Sequence, residues 1–130
     1  MSQITVIAAY GPTNCKSEDE KEDFWSDLKR ALEAISPHNI VITLGDFNAQ
    51  IGKDHHQVLP HIVGQYAFHE ETNENGQRLI DLCQTNIMRP ANTRFNHRKN
   101  RKWTLKLANH ALNEPCKQID HVLIRSKYFN

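Results

Sequence analysis

The sequence predicts an α/β fold, and three observations point to it. A short apolar, β-branched run, residues 3 to 9 (QITVIAA), precedes an amphipathic stretch, and a second β-branched run follows at Asn39 to Leu44. The connection between the two runs is long enough for parallel strands with a helix packed on one face. The 130 residues suffice for one domain with a real core, but not for two.

Each element has its own signal. Residues 3 to 9 read as a buried strand, which Tyr10-Gly11-Pro12-Thr13 turns. Ser17 with Glu20 forms a capping box, and acids crowd the first turn of the helix it opens, where the helix dipole favours them. Phe24, Leu28, Leu32 and Ile35 follow at helical spacing, Trp25 and Ala31 widen the stripe, and Pro37 closes the helix. The strand from Asn39 to Leu44 breaks at Gly45. Residues 52 to 75 are polar and rich in His, Asn and Gly, and read as a long irregular loop of the kind that carries function. Residues 75 to 86 predict a helix with Leu79, Leu82 and Cys83 on its apolar side, followed by strand-like stretches at 87 to 97, 101 to 107 and 117 to 126.

Composition narrows the class. Mean hydropathy is −0.66, at the polar end of soluble proteins, and no apolar run approaches the ~18 residues of a membrane span. No signal-peptide pattern stands at the N-terminus. Cys15, Cys83 and Cys116 are odd in number and form no Cys-x-x-Cys pair, which argues against a disulfide framework or a zinc site. The expectation is an intracellular protein, nuclear or cytoplasmic, with no membrane partner and no small-molecule cofactor. Net charge is +1, but Arg89 to Lys106 holds seven Lys or Arg and no acid. With Phe95 and Trp103 inside it, this stretch is either a solvated face or a phosphate-backbone surface.

Asp46 and Asn48 stand just past the break at Gly45. Ligands of open α/β sheets bind beyond the carboxyl ends of strands. There a carboxylate can hold a water and accept its proton, while an amide donates to a phosphate oxygen without adding charge. A strand-ending turn would use the same residues. Tyr10 ends the first strand, so its phenol could reach the same edge. Asp120 lies in the apolar run QIDHVLI, residues 118 to 124, where a lone acid is costly unless paired; a structural aspartate is the alternative.

Strand-Tyr-x-Pro-Thr (10 to 13), Gly-Asp-Phe-Asn-Ala (45 to 49), Asn-Gly-x-x-Leu-x-Asp (75 to 81) and Gln-Ile-Asp-His (118 to 121) occur in this order. Together they resemble the endonuclease/exonuclease/phosphatase superfamily. More narrowly, with NTRFNH at 92 to 97, they resemble LINE-type retrotransposon endonuclease domains and the related craniofacial development protein 2 group. The resemblance runs from about Ile4 to Ile124. It implies the middle and C-terminal portion of an α/β sandwich in which two sheets pack between helices, so that a fragment leaves sheet surface and strand edges uncovered.

The resemblance also implies roles. Tyr10 matches a tyrosine that contacts the scissile phosphate, Asp46 the acid that orients or deprotonates water, and Asn48 the amide that holds phosphate and water. Asp120 matches a carboxylate that supports a catalytic histidine. Thr104 matches a family threonine on the substrate side, although the tryptophan that usually follows is here Leu105. Arg98, Lys99, Arg101 and Lys102 are the basic candidates for DNA contact. Mg²⁺ or Mn²⁺ is the implied cofactor and DNA the implied partner. The family's metal glutamate would lie upstream of the Tyr-x-Pro strand and its closing Ser-Asp-His beyond Asn130, so no metal ligand is assigned. Asp54-His55-His56 and His69-Glu70-Glu71 are the only local stand-ins. His121 is a poor one, since strand neighbours point to opposite faces; His38, His61, His97 and His110 read as surface residues. Three readings follow: a phosphodiesterase fragment with little activity as it stands, a catalytically dead module binding nucleic acid or protein, and a phosphatase of lipid or small phosphate esters.

Overall fold

The computed structural model describes residues 2–106, 116–125 and 127. It is mixed α/β, with a four-stranded sheet backed by helices. Strand β1 (Ile4–Tyr10) leads through helix α1 (Glu18–Glu33) to β2 (Ile40–Asp46), and the two strands pair in parallel. Helix α2 (Lys53–Val58), helix α3 (Glu74–Asn86) and the short β3 (Met88–Pro90) follow. A two-residue ribbon, β4 (Leu105–Lys106) with β5 (Cys116–Lys117), precedes β6 (Asp120–Arg125). Strand β6 enters the sheet antiparallel to both β2 and β3, giving the order β1-β2-β6-β3.

Helix α1 begins as its sequence dictates. The Ser17 hydroxyl accepts from the Glu20 N–H, and the Glu20 carboxylate accepts from the Ser17 N–H. The stripe it buries is centred on Trp25, Leu28 and Leu32, with Phe24 and Ile35 at its margin. Helix α3 buries Leu79, Ile80, Leu82 and Cys83. These side chains, with Val41, Phe47, Met88 and Leu123, form the core on one face of the sheet. Lys21, only 3% exposed, bridges Glu18 of its own helix and Glu74 of α3, and Arg78 closes the network on the same two acids.

The other face is open. The side chains of Ile4, Val6, Ala8, Ile40, Ile42, Leu44, Val122 and Ile124 share it by register, with Ile4 66% and Val6 59% exposed. The expectation of uncovered sheet surface holds, whereas that of a buried first strand does not: alternate residues of β1 are exposed, and among the described residues β1 is a sheet edge.

Other departures are local. β2 runs through Gly45 to Asp46, so the carboxylate ends the strand and does not follow a break. The 52–75 segment holds α2 and is pinned by a bridge between Gly52 and His69. The stretch 87–97 is a strand only to Pro90; the chain then turns through a 3₁₀ segment (Ala91–Thr93), and the Asn92 side chain takes the next place beside β6. The stretch 101–107 gives only Leu105–Lys106 as strand; Leu107, His110 and Ser126 lie outside the described residues.

Candidate active site

Register alone assembles most of the site. Tyr10 pairs with Asp46, and Asp46 pairs with Asp120, so the three stand side by side on adjacent strands and point to the open face. Tyr10 is 78% exposed, and both carboxylates are half-buried. Asp120 is the first residue of β6 and not an acid inside an apolar strand, so it escapes the cost of deep burial.

Asn48 joins the row through the loop that follows β2. Its backbone is left-handed, φ 49°, a conformation asparagine tolerates better than most residues. Its N–H donates to Asp46 Oδ1 at 2.9 Å, and its Nδ2 donates to the Gly11 carbonyl at 2.8 Å. One carboxylate oxygen of Asp46 is thus held by the loop, and one N–H of the Asn48 amide is spent on the β1 turn. The fully buried Asn75 fixes the loop from below, donating through Nδ2 to the carbonyls of Pro12 (2.9 Å) and Asn48 (3.2 Å).

Asp120 is clamped on both sides. Thr104 Oγ1 accepts from the N–H groups of Ile119 (3.0 Å) and Asp120 (3.2 Å). Asn92 lies beside β6 and extends the ladder with its side chain, accepting from Val122 N and donating to the Asp120 carbonyl. The roles of Asn75 and Asn92 escaped the sequence reading. Both lie in quoted motifs, but an amide that bonds distant backbone looks like any other polar residue.

Two buried imidazoles lie behind the row. His121 points into the covered face, as strand parity requires, and its Nε2 donates to the Ala49 carbonyl at 2.7 Å. Its Nδ1 is buried without a partner among the described residues. Burial pushes its pKa down to about 4, against the opposing pull of the Ala49 bond and Asp120. His69 Nε2 accepts from Gln118 N at 3.1 Å, tying the segment before Asp120 to the 69–73 turn.

The two loop clusters are clasps. Asp54 accepts from Thr72 N, Thr72 Oγ1 and His55 N. Burial raises its pKa, but the bonds from Thr72 and His55 together outweigh that and hold it below the usual carboxylate value. His55 Nε2 meets Gln77, His56 Nδ1 meets the Val63 carbonyl, and Glu70 pairs with Lys53 at 2.6 Å. Among the described residues no group of three His, Cys, Asp or Glu could hold a metal. Asp46 and Asp120 are the carboxylates nearest the site, and they alone do not complete a divalent centre.

The basic candidates divide. Arg98, Lys99 and Arg101 are exposed in and beside a 3₁₀ turn (Lys99–Arg101). Lys102 is half-buried: its Nζ donates to the Tyr66 carbonyl at 3.1 Å and lies 5.6 Å from the Tyr66 ring centre. Burial, and then the charge of Lys53, lower its pKa.

Comparison with known proteins places the chain beside one group of relatives. Over 125 residues it is 32% identical to Craniofacial development protein 2 of Tragulus javanicus, covering 96% of this chain and 21% of that protein. It is 31% identical to the protein of the same name from Bos taurus, covering 96% and 20%. The chain is homologous to Craniofacial development protein 2. It spans about a fifth of the length of these curated relatives. No family model matches the chain. No helix among the described residues is long and apolar enough to cross a membrane.

Proposed function

We propose that the row Tyr10–Asp46–Asp120, with Asn48, is the phosphate-handling part of a divalent-metal-dependent phosphodiesterase site of the retrotransposon-endonuclease type, acting on DNA. The observation that supports this reading is the register: three polar side chains at one level of three adjacent strands, opening to solvent, with an asparagine folded back beside them. In this reading the unheld oxygen of Asp46 accepts a proton from the attacking water. The second N–H of Asn48 and the Tyr10 hydroxyl donate to phosphate oxygens, and Asp120 supplies the second negative charge at the edge. Mg²⁺ or Mn²⁺ would neutralise the developing charge. Two carboxylates do not complete its site here, so no step is assigned to it.

The 130-residue chain is accordingly expected to nick plasmid weakly or not at all. Joined to segments that supply a further carboxylate and an imidazole, it should nick supercoiled plasmid in Mg²⁺. Asp46→Ala should then lower that rate by ~10²–10⁴, the range for loss of an acid–base partner. Nicking that is indifferent to Asp46→Ala would refute the assignment.

A second reading, a module that binds nucleic acid without cutting it, is favoured by one observation: Arg98, Lys99 and Arg101 are exposed, with no acid between Arg89 and Lys106. Binding should weaken steeply with salt, and reversing Arg98, Lys99, Arg101 and Lys102 together should flatten that slope. A salt-insensitive affinity would remove the DNA surface from both readings.

A further inference from the structure

We infer that His56 and Arg94, which lie outside the Tyr10–Asp46–Asp120 row, form a binding site for a phosphate monoester or inorganic phosphate. Both side chains are held by the backbone of one turn, residues 60 to 63, the first from before it in the chain and the second from after. Arg94 Nη2 donates to the carbonyls of His61 (2.6 Å), Ile62 (3.2 Å) and Pro60 (3.4 Å). His56, in α2, donates through Nδ1 to the Val63 carbonyl at 2.8 Å, since a carbonyl only accepts. With Pro60, Gly64, Gln65 and Tyr66 they line a pocket of about 250 Å³. Thr93 fixes the wall opposite, its Oγ1 accepting from Gly64 N at 2.8 Å and its carbonyl from Tyr66 N at 3.0 Å.

What these bonds leave over points to an anion. Arg94 Nη1 and His56 Nε2 bond to no described residue, and Arg94 Nε is buried without a partner among them. Arg94 is half-buried, yet no Asp or Glu pairs with it among the described residues, and none of the six pocket residues is an acid. Burial, and then the charge of Arg89, lower its pKa, the opposite of what a carboxylate neighbour would do. Proton count chooses among anions. With Nδ1 spent as a donor, a neutral His56 offers Nε2 as an acceptor beside the donors of Arg94. A phosphate that carries one proton satisfies both: its O–H donates to Nε2 and its other oxygens accept from the guanidinium. Sulfate and phosphodiesters carry no such proton near neutral pH.

Titrating the ¹⁵N-labelled 130-residue chain with inorganic phosphate at constant ionic strength tests this. The expected result is saturable shifts at the Gly64, Gln65 and Tyr66 amides and the His56 ring, with sulfate at least tenfold weaker. Gln65 is exposed and makes no hydrogen bond through its side chain among the described residues, so its substitution leaves the turn intact. Gln65→Glu should weaken phosphate at least tenfold, and Gln65→Lys should tighten it. A 5′-phosphorylated oligonucleotide that outbinds both its unphosphorylated form and inorganic phosphate would assign the group to a nucleic-acid end. One that binds no better than the free ion would assign it to a small phosphate. The inference is overturned if nothing saturates, if sulfate binds as tightly, or if both Gln65 variants bind like the parent. Shifts centred on Asp46 and Asn48 instead would also overturn it, by returning the anion to the strand-end row.

Discussion

The two faces of the sheet are made by the same strands, yet one is a core and the other is open. Val122 and Leu123 are neighbours in β6; Leu123 is fully buried under α1 and α3, while Val122 faces solvent with Ile4, Val6 and Leu44. Hydrophobicity does not distinguish them. What distinguishes them is parity: odd positions of β1, β2 and β6 look towards the helices, and even positions look away. The candidate site lies on the even side, at the end of an apolar surface that no described element covers. Stability and chemistry are therefore assigned to opposite faces, and substitutions should separate them.

The largest separation comes from adjacent residues. Leu123→Ala should cost about 2–5 kcal/mol, because it removes a fully buried side chain and leaves a cavity among Val41, Met88 and the helices. Val122→Ala should cost less than about 1 kcal/mol, since its side chain is already half in water. Urea midpoints at unchanged m-value measure both. Similar losses at the two positions would show that something covers the open face.

A pH series sharpens the same contrast. His121 is held neutral on the covered face, with a folded pKa near 4 against about 6.5 when unfolded. Its neutral form is fully compatible with the fold above pH 6.5. As pH falls from 6.5 to 4 the unfolded chain takes up a proton that the folded chain refuses, so stability declines by roughly 3 kcal/mol before levelling off. His121→Gln, which keeps a donor for the Ala49 carbonyl, should remove this His121-linked decline. A decline of equal size in the variant would assign it to other groups.

How much of this the sequence disclosed depends on the kind of interaction. Strand, helix, strand and the parallel pairing were legible because each rests on local periodicity and one short connection. The Asp46 edge was legible only in part: Gly45 read as a break, whereas the strand runs through it and ends at Asp46. The covered and uncovered faces were not, since Ile4, Val6 and Ile7 are equally apolar and alternation cannot mark which parity meets a helix. The order in 52–75 was hidden for a different reason. Asp54 with Thr72, and Asn73 with the Gln50 N–H, join side chains to backbone across about twenty residues, and such residues read as a solvated loop. The strand expected over 87–97 was overcalled because the chain turns into a 3₁₀ segment at Ala91–Thr93, where the Asn92 side chain stands in for backbone beside β6.

The smallest effect concerns an exposed apolar residue that belongs to neither face. Ile87 ends α3 in the left-handed conformation, φ 55°, and is 65% exposed. A β-branched side chain there is strained by roughly 1 kcal/mol or more, which glycine would relieve. Ile87→Gly should raise the melting temperature by a few degrees and leave the sheet contrast untouched. A lower melting temperature would show that the Ile87 side chain makes a contact worth more than the strain.

Gly45 sets the width of the site. Its φ of 148° is one that residues with a side chain rarely adopt, and a Cβ built on it would land on the Ala9 carbonyl oxygen. β1 and β2 consequently touch backbone to backbone one residue before Tyr10 and Asp46, and their separation acts as a gauge block for those two side chains. Even alanine would wedge the strands apart at that point. In a library randomised at every position and sorted for folded protein, position 45 should return glycine alone, while position 122, on the neighbouring strand and on the open face, should accept most residues.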